Sequence, residues 1–226
     1  MFDLERGFFG GHGIVAAQVP IGAGMAFANK YKKNGNVVVT YFGDGAANQG
    51  QVYETFNMAK IWNLPVLFVL ENNKYGMGTS IDRSCSNSEN LHKRGESFGI
   101  PGKKVDGMDY IAVRDATEAV IKEIRKGGGP QLLEMETYRY RGHSMSDPGQ
   151  YRTKEEVNQY KEADSITQLK DVMIKNKLLT EDEFKAMDKE IRAEVAEVGE
   201  FAKNSAEPSE DELYTDIYRG ELSGNI

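Results

Sequence analysis

Two short polar clusters close apolar runs in this chain. Gly43-Asp44-Gly45 follows Val37-Val38-Val39-Thr40-Tyr41-Phe42, and Asn72-Asn73 stands just beyond the run from Pro65 to Leu70. Asp44 offers a carboxylate oxygen and Asn73 an amide oxygen. Hard-cation sites on phosphate ligands are built from one or two such oxygens, with the rest drawn from phosphate, water and carbonyls, so the pair suits Mg²⁺ holding a diphosphate. The flanking glycines let backbone come close to a ligand. The helix expected from about Gln51 can turn its N-terminal dipole toward the anion. Gly-Asp-Gly alone is a common turn, but Gly-Asp-Gly after one buried strand and Asn-Asn after the next is far more specific.

For the two clusters to meet, the runs before them must be neighbouring strands. Val37 to Phe42 is β-branched and aromatic and nearly all apolar, which reads as a strand buried on both faces of a parallel sheet. Gln51 to Trp62 returns to helical period with Val52, Phe56, Ala59 and Trp62 on one face, and Pro65 to Leu70 is a second buried strand. The theme repeats with Lys104 to Asp106 as a strand and Ile111 to Arg125 as a helix. Gly127-Gly128-Gly129-Pro130 is a stop, and Gln131 to Thr137 a further strand. The expected class is α/β, a doubly wound and mostly parallel sheet, whose ligands gather outside the carboxyl ends of the strands. Upstream, Ile14 to Lys33 has helical spacing, Gly22, Ala23 and Gly24 allow another backbone to approach, and Asn34-Gly35 ends the helix.

Beyond Thr153 the composition shifts to helix formers. Phe184, Met187, Ile191, Val195, Val198 and Phe201 form one apolar stripe. Thr180 with Glu183, and Ser209 with Glu212, have the capping-box pattern. The expected division is a cofactor-binding α/β domain over residues 1–153 and an extension of packed helices over 154–226.

The totals narrow the function. A chain of 226 residues with 39% hydrophobic content can fill a globular core. A net charge of −7 argues against a nucleic-acid groove, which needs clustered Lys and Arg. No stretch approaches the roughly 18 apolar residues of a membrane span. Cys85 is the one cysteine, so it forms no internal disulfide, which fits a reducing compartment. Set among Ser84, Ser86 and Ser88, it reads as a loop bystander. Met1-Phe2-Asp3 runs into apparent domain interior without a leader, as in part of a longer chain.

Of the three histidines, His143 lies in Arg141-Gly142-His143-Ser144, just beyond a strand, where a loop can reach the mouth of the site. An imidazole with a pKa of about 6.5 exchanges protons at neutral pH. His12 sits in Gly11-His12-Gly13-Ile14-Val15-Ala16, a loose dinucleotide fingerprint with no strand before it, which rules that reading out. His92, among Asn90, Lys93 and Arg94, reads as surface.

The Gly-Asp-Gly and Asn-Asn pair resembles the thiamine diphosphate-binding motif. Together with "GGHGIVAAQVPIGAG", "GDGAANQG", "ENNKYGMGTS", "VDGMD" and "YRYRGHSMSDPG", it makes the chain resemble the α subunits of the pyruvate dehydrogenase E1 family from near residue 1 to beyond residue 200. The resemblance implies that Asp44, the Asn73 side chain and the Tyr75 main-chain carbonyl hold Mg²⁺. It places Gly45 and Ala46 beside the diphosphate, and Gly13 and Val15 along the cofactor, with Val15 supporting its bent form. It puts His143 near the cofactor, in the lipoyl half-reaction. The implied reaction is thiamine diphosphate-dependent decarboxylation of pyruvate with reductive acetylation of a lipoyl group on E2, giving acetyl-CoA in the whole complex.

The implied partners are an E1 β subunit in an α₂β₂ heterotetramer, which brings the glutamate that activates the cofactor, and the E2 lipoyl domain. A regulatory kinase and phosphatase would act on Ser144 and Ser80. The implied location is the mitochondrial matrix, or the cytoplasm in a bacterium. A further serine seen after the "SDPG" turn of some members is missing, since Gly149 is followed by Gln150-Tyr151. The family's N-terminal segment before Met1 is also missing. An α subunit for branched-chain 2-oxo acids or acetoin, and a catalytically silent homologue, are the alternatives; "GAANQG" and "GMGTS" favour pyruvate.

Overall fold

The structure, a computed structural model, describes residues 2–215. The chain divides between Leu169 and Lys170 into two compact units. The first extends past the change of composition at Thr153. Its strands are β1 (Val38–Gly43), β2 (Val66–Asn72), β3 (Tyr75–Gly76), β4 (Thr79–Ser80), β5 (Gly102–Asp106) and β6 (Gln131–Glu136). Four of these form one sheet in the order β1-β2-β6-β5, with every neighbouring pair parallel. β3 and β4 make a small antiparallel hairpin.

The continuous apolar runs make buried strands because both faces are covered. Phe68 and Leu70 on β2 join Phe42 of β1, Val19 of helix α1 (Gln18–Lys32), and Val52 and Phe56 of α2 (Gly50–Ile61). The alternate residues Leu67 and Val69 join Leu133 and Met135 of β6 and Ala116 of α4 (Tyr110–Glu123) on the other face. Period-two alternation of side chains therefore feeds two cores, as a doubly wound sheet requires. A short helix α3 (Ile81–Ser84) and an irregular 3₁₀ segment (Ser88–Phe98) lie between β4 and β5.

Of the three small residues in α1, Gly22 is the one that needs its size, since a Cβ there would lie 2.8 Å from Cβ of Thr40 on β1. Thr40 Oγ1 also donates to the Gln18 carbonyl at 3.0 Å. Gly24 points into open space. Cys85 is buried, with its sulfur accepting from Asn48 Nδ2 at 3.1 Å, while Ser84 and Ser86 on either side of it are exposed.

Helix α5 (Lys154–Glu162) lies in the first unit, and the division falls within α6 (Ser165–Lys175). The second unit is dominated by α7 (Glu181–Asn204). Its capping box is formed: Thr180 Oγ1 accepts from the Glu183 amide at 3.2 Å, and Glu183 Oε2 accepts from the Thr180 amide at 2.8 Å. Thr180→Ala should cost about 1 kcal/mol of local stability, read as faster amide exchange in the first turn of α7.

Two expectations for this unit are corrected. Most of the α7 stripe is not packed: Phe184 is half-buried, with Lys170 over its ring, but Met187, Ile191, Val195, Val198 and Phe201 are all exposed, Phe201 at 76%; helical period identifies an apolar face but not what covers it. Ser209 makes no side-chain cap, and only a short 3₁₀ turn (Glu210–Tyr214) follows it, too little helix to leave the row of free amides that a capping box serves. The end of the expected extension, residues 216–226, lies outside the described residues. Among the described residues no helix is long and apolar enough to cross a membrane.

Candidate metal and diphosphate site

Parallel pairing sets the ends of β1 and β2 level, with Gly43 opposite Glu71. The Asp44 amide donates to the Glu71 carbonyl at 3.2 Å, which carries Asp44 past the sheet beside the end of β2. Asp44 is only 1% exposed. Its Oδ1 accepts from the Asn73 amide at 3.3 Å, while its Oδ2 is buried without a hydrogen-bond partner. Burial pushes the Asp44 carboxyl above the usual carboxylate range; the amides of Asp44 and Asn73 and the nearby cations Arg139 and Lys74 pull it down without cancelling that effect. A buried anionic oxygen with no donor is costly by itself and calls for a positive ion.

Among the described residues no group of three or more His, Cys, Asp or Glu side chains gathers around a possible metal. A cation at Asp44 would take its other ligands from amide, carbonyl and phosphate oxygens, and Mg²⁺ on a diphosphate is content with such a set. Asp44, Asn73 and the Tyr75 carbonyl fit that group.

The turn after β2 orders the remaining oxygens. Asn72 Oδ1 accepts from the Lys74 amide at 3.2 Å, and Asn73 Oδ1 from the Tyr75 amide at 3.2 Å. These overlapping side-chain turns hold Lys74 at φ 74°, in the left-handed region that a lysine adopts at a cost. The Tyr75 carbonyl accepts from Arg139 Nη1 at 3.2 Å; a carbonyl has two lone pairs, so one is left for a cation. Gly45 has a packing reason besides ligand approach, since a Cβ there would lie 3.3 Å from Gly76 Cα.

Arg139 links this turn to the His143 loop. Besides Tyr75, it donates to the Met77 carbonyl at 2.5 Å and to the Tyr151 hydroxyl at 2.8 Å. Tyr151 in turn donates to Asp147 Oδ2 at 2.8 Å. Asp147 also accepts the amides of His143 at 2.7 Å and Gly149 at 2.8 Å. Those three donors, the His143 amide first, hold the Asp147 carboxyl down at about 2. With the folded value below the unfolded one of about 4, the turn's stabilisation is complete above that unfolded value and is lost as pH falls through about 2. The amide resonances of His143 and Gly149 should therefore titrate together with a midpoint of about 2, well below an ordinary aspartate.

Glu156 of α5 braces the same region, its Oε1 accepting from the hydroxyls of Tyr75 and Tyr138 at 2.8 Å each. Burial, and then the bond to Glu156, pushes the Tyr138 phenol up to about 12. The Tyr138 ring stacks on Tyr160 at 3.9 Å.

The other expected residues stand as follows. Ala46 opens the short 3₁₀ turn after Gly45. Val15 is exposed, and its carbonyl accepts from Gln51 Nε2 at 3.0 Å, which ties it to the start of α2. Gly13 and His12 are exposed, as are His143 and Ser144. Ser144 Oγ lies 3.0 Å from Ser146 Oγ. Ser80 borders a polar cavity of about 670 Å³ shared with Lys74, Lys104 and Glu136.

His92 corrects the surface expectation. Its side chain is only 16% exposed, with Nδ1 3.1 Å from Oε2 of the fully buried Glu134. Sequence reasoning also passed over Glu134, Arg139, Asp147, Tyr151 and Glu156. The available signals were the density of Arg and Tyr in "YRYR" and a lone glutamate inside the apolar run "LLEM".

A family model for the dehydrogenase E1 component matches residues 1–210. The chain is 52% identical over 218 residues to the pyruvate dehydrogenase E1 component subunit alpha of Rickettsia typhi, covering 96% of this chain and 67% of that one. It is 55% identical to the protein of that name from Rhizobium meliloti, covering 96% and 62%. It is 49% identical to the testis-specific mitochondrial form from Rattus norvegicus, covering 96% and 56%. The chain thus spans about two thirds or less of the length of these relatives.

Proposed function

The chain belongs to the dehydrogenase E1 component family, and on that premise we propose that it works as the α subunit of a pyruvate dehydrogenase E1 enzyme. The reaction is thiamine diphosphate-dependent oxidative decarboxylation of pyruvate with reductive acetylation of an E2 lipoyl group. The observation that carries the reading is the buried, partnerless Asp44 Oδ2 beside the Asn72-Asn73 turn. When bound, thiamine diphosphate supplies the electron sink for decarboxylation. Asp44, Asn73 and the Tyr75 carbonyl would hold Mg²⁺ with the diphosphate, Gly45 and Ala46 would bring main chain to the phosphates, and Gly13 and Val15 would line the cofactor.

His143 exchanges a proton with the lipoyl group, and Asp147 holds the loop that presents it by taking the His143 amide. The β subunit supplies the activating glutamate, in an α₂β₂ assembly that the E2 lipoyl domain visits. A kinase acting on Ser144 would place nearly two negative charges in the turn that Asp147 closes, where like-charge repulsion would open it, and a phosphatase would remove them; Ser80 is the second candidate. The relatives include bacterial and mitochondrial proteins, so the proposed location is the mitochondrial matrix or the bacterial cytoplasm.

The test is reconstitution with the β subunit, assaying pyruvate against branched-chain 2-oxo acids with an artificial electron acceptor and with a lipoyl domain. His143→Ala should slow lipoyl acetylation by about a hundredfold, in the usual range for a lost acid–base group, and leave cofactor affinity and acceptor-linked decarboxylation near wild type. Equal loss in both assays would overturn the role of His143. A preference for branched substrates would overturn pyruvate.

A further inference from the structure

We infer that Glu134, which takes no part in the chemistry above, is a positioning residue that sets the cation-binding turn through Asn72. This rests on the reading of that turn as a Mg²⁺–diphosphate site. Glu134 sits in the middle of β6 and is completely buried, as is Asn72 at the end of β2. A buried carboxylate survives only with donors around it, and Glu134 has a defined set. Oε1 accepts from Asn72 Nδ2 at 2.8 Å, and Oε2 accepts from the His92 amide at 2.8 Å, with His92 Nδ1 at 3.1 Å.

The bond to Nδ2 decides which way the Asn72 amide faces. With its nitrogen held by Glu134, its oxygen is turned to the Lys74 amide at 3.2 Å. That bond spans Asn73 and holds Lys74 at φ 74°, a conformation that persists in a lysine only where surrounding contacts impose it. Asn73 and Tyr75, on either side of Lys74, carry the two oxygens assigned beside Asp44. An acceptor at Glu134 therefore fixes the spacing of ligands it never touches, as outer-shell groups do in metal sites.

Glu134→Gln keeps the shape but loses one acceptor. If its oxygen faces the His92 amide, its NH₂ confronts Asn72 Nδ2, and the Asn72 amide turns over and presents a donor to the Lys74 amide. Adding Asn72→Asp reverses the polarity of the pair: the glutamine NH₂ donates to one carboxylate oxygen, the other still accepts from Lys74, and the glutamine oxygen still accepts from His92.

The experiment uses the chain assembled with its β subunit and measures Mg²⁺-dependent thiamine diphosphate binding by calorimetry, beside the melting temperature without metal or cofactor. Glu134→Gln should weaken apparent Mg²⁺ affinity by about 10- to 100-fold, the usual loss for an outer-shell partner. Asn72→Asp/Glu134→Gln should recover to within about threefold of wild type, the coupling expected of residues in one network. Wild-type Mg²⁺ affinity in Glu134→Gln overturns the inference. So does a double variant that binds no better than the worse single one, or that fails to assemble, because the reversed pair must be equivalent to the original. Asp44→Ala is the control: if it keeps Mg²⁺ dependence, the site reading itself fails, whereas if it loses that dependence and Glu134→Gln does not, only the role of Glu134 fails.

Discussion

Asp44→Ala should abolish Mg²⁺-dependent thiamine diphosphate binding, weakening it by more than about a hundredfold. Even outer-shell partners of a metal cost about 10- to 100-fold when removed, and Asp44 is the one charged ligand in the proposed set. Asp44→Asn separates charge from shape. It keeps an acceptor for the Asn73 amide, which Asp44 Oδ1 now takes at 3.3 Å, but removes the buried charge whose second oxygen has no donor. Without metal, Asp44→Asn should melt no lower than wild type, because burial of the Asp44 carboxylate is a cost that the neighbouring amides, Arg139 and Lys74 offset only in part. With metal and cofactor present, wild type should melt higher and the variant should not follow, since a ligand stabilises only the state it binds. Calorimetry and paired melting curves decide it. Unchanged cofactor affinity in Asp44→Asn and Asp44→Ala would refute the metal assignment.

Phe56→Ala should bring the largest loss of stability. Phe56 on α2 is 1% exposed, and its ring centroid lies 4.9 Å from Phe68, 6.1 Å from Phe98, 6.2 Å from Tyr53 and 6.5 Å from Phe42. One side chain thus ties together both strands that end at the site, the helix between them and the 3₁₀ segment that carries His92. Truncation removes transfer energy and leaves a cavity that flat rings fill poorly, at a cost of about 3–5 kcal/mol. Against a total stability of about 5–15 kcal/mol, that is enough to unfold a marginal chain at elevated temperature. Phe56→Leu should cost distinctly less. Urea unfolding measures both, and a loss under about 1 kcal/mol for the alanine variant would mean that the aromatic cluster repacks freely.

The strands and the helices between them were legible because the signal is local. A β-branched run such as Val37 to Phe42 reads as a strand wherever it falls, and α2 returns to helical period within its own 12 residues. Asp44 and Asn73 could be paired from sequence for a topological reason: consecutive strands of a parallel sheet end at the same edge, so whatever follows each must be close. The capping box of α7 was legible for the same local reason, being written within four residues.

The supports of the site were settled only by tertiary structure. Glu134 meets Asn72 across 62 positions of chain and His92 across 42, and Arg139 reaches the Tyr75 carbonyl across 64. Those meetings depend on β6 entering the sheet between β2 and β5, an order that no hydrophobic period encodes. A buried glutamate in a strand and a histidine among polar neighbours each look out of place alone; they become one hydrogen-bonded unit only when the sheet order brings them together. The sequence by itself determined the strands and the polar residues that close them, Asp44 and Asn73, because backbone sterics and side-chain period act over a few residues. Which side chains hold those residues in place was decided by packing between distant segments, where burying a charge forces each donor and acceptor to find its partner.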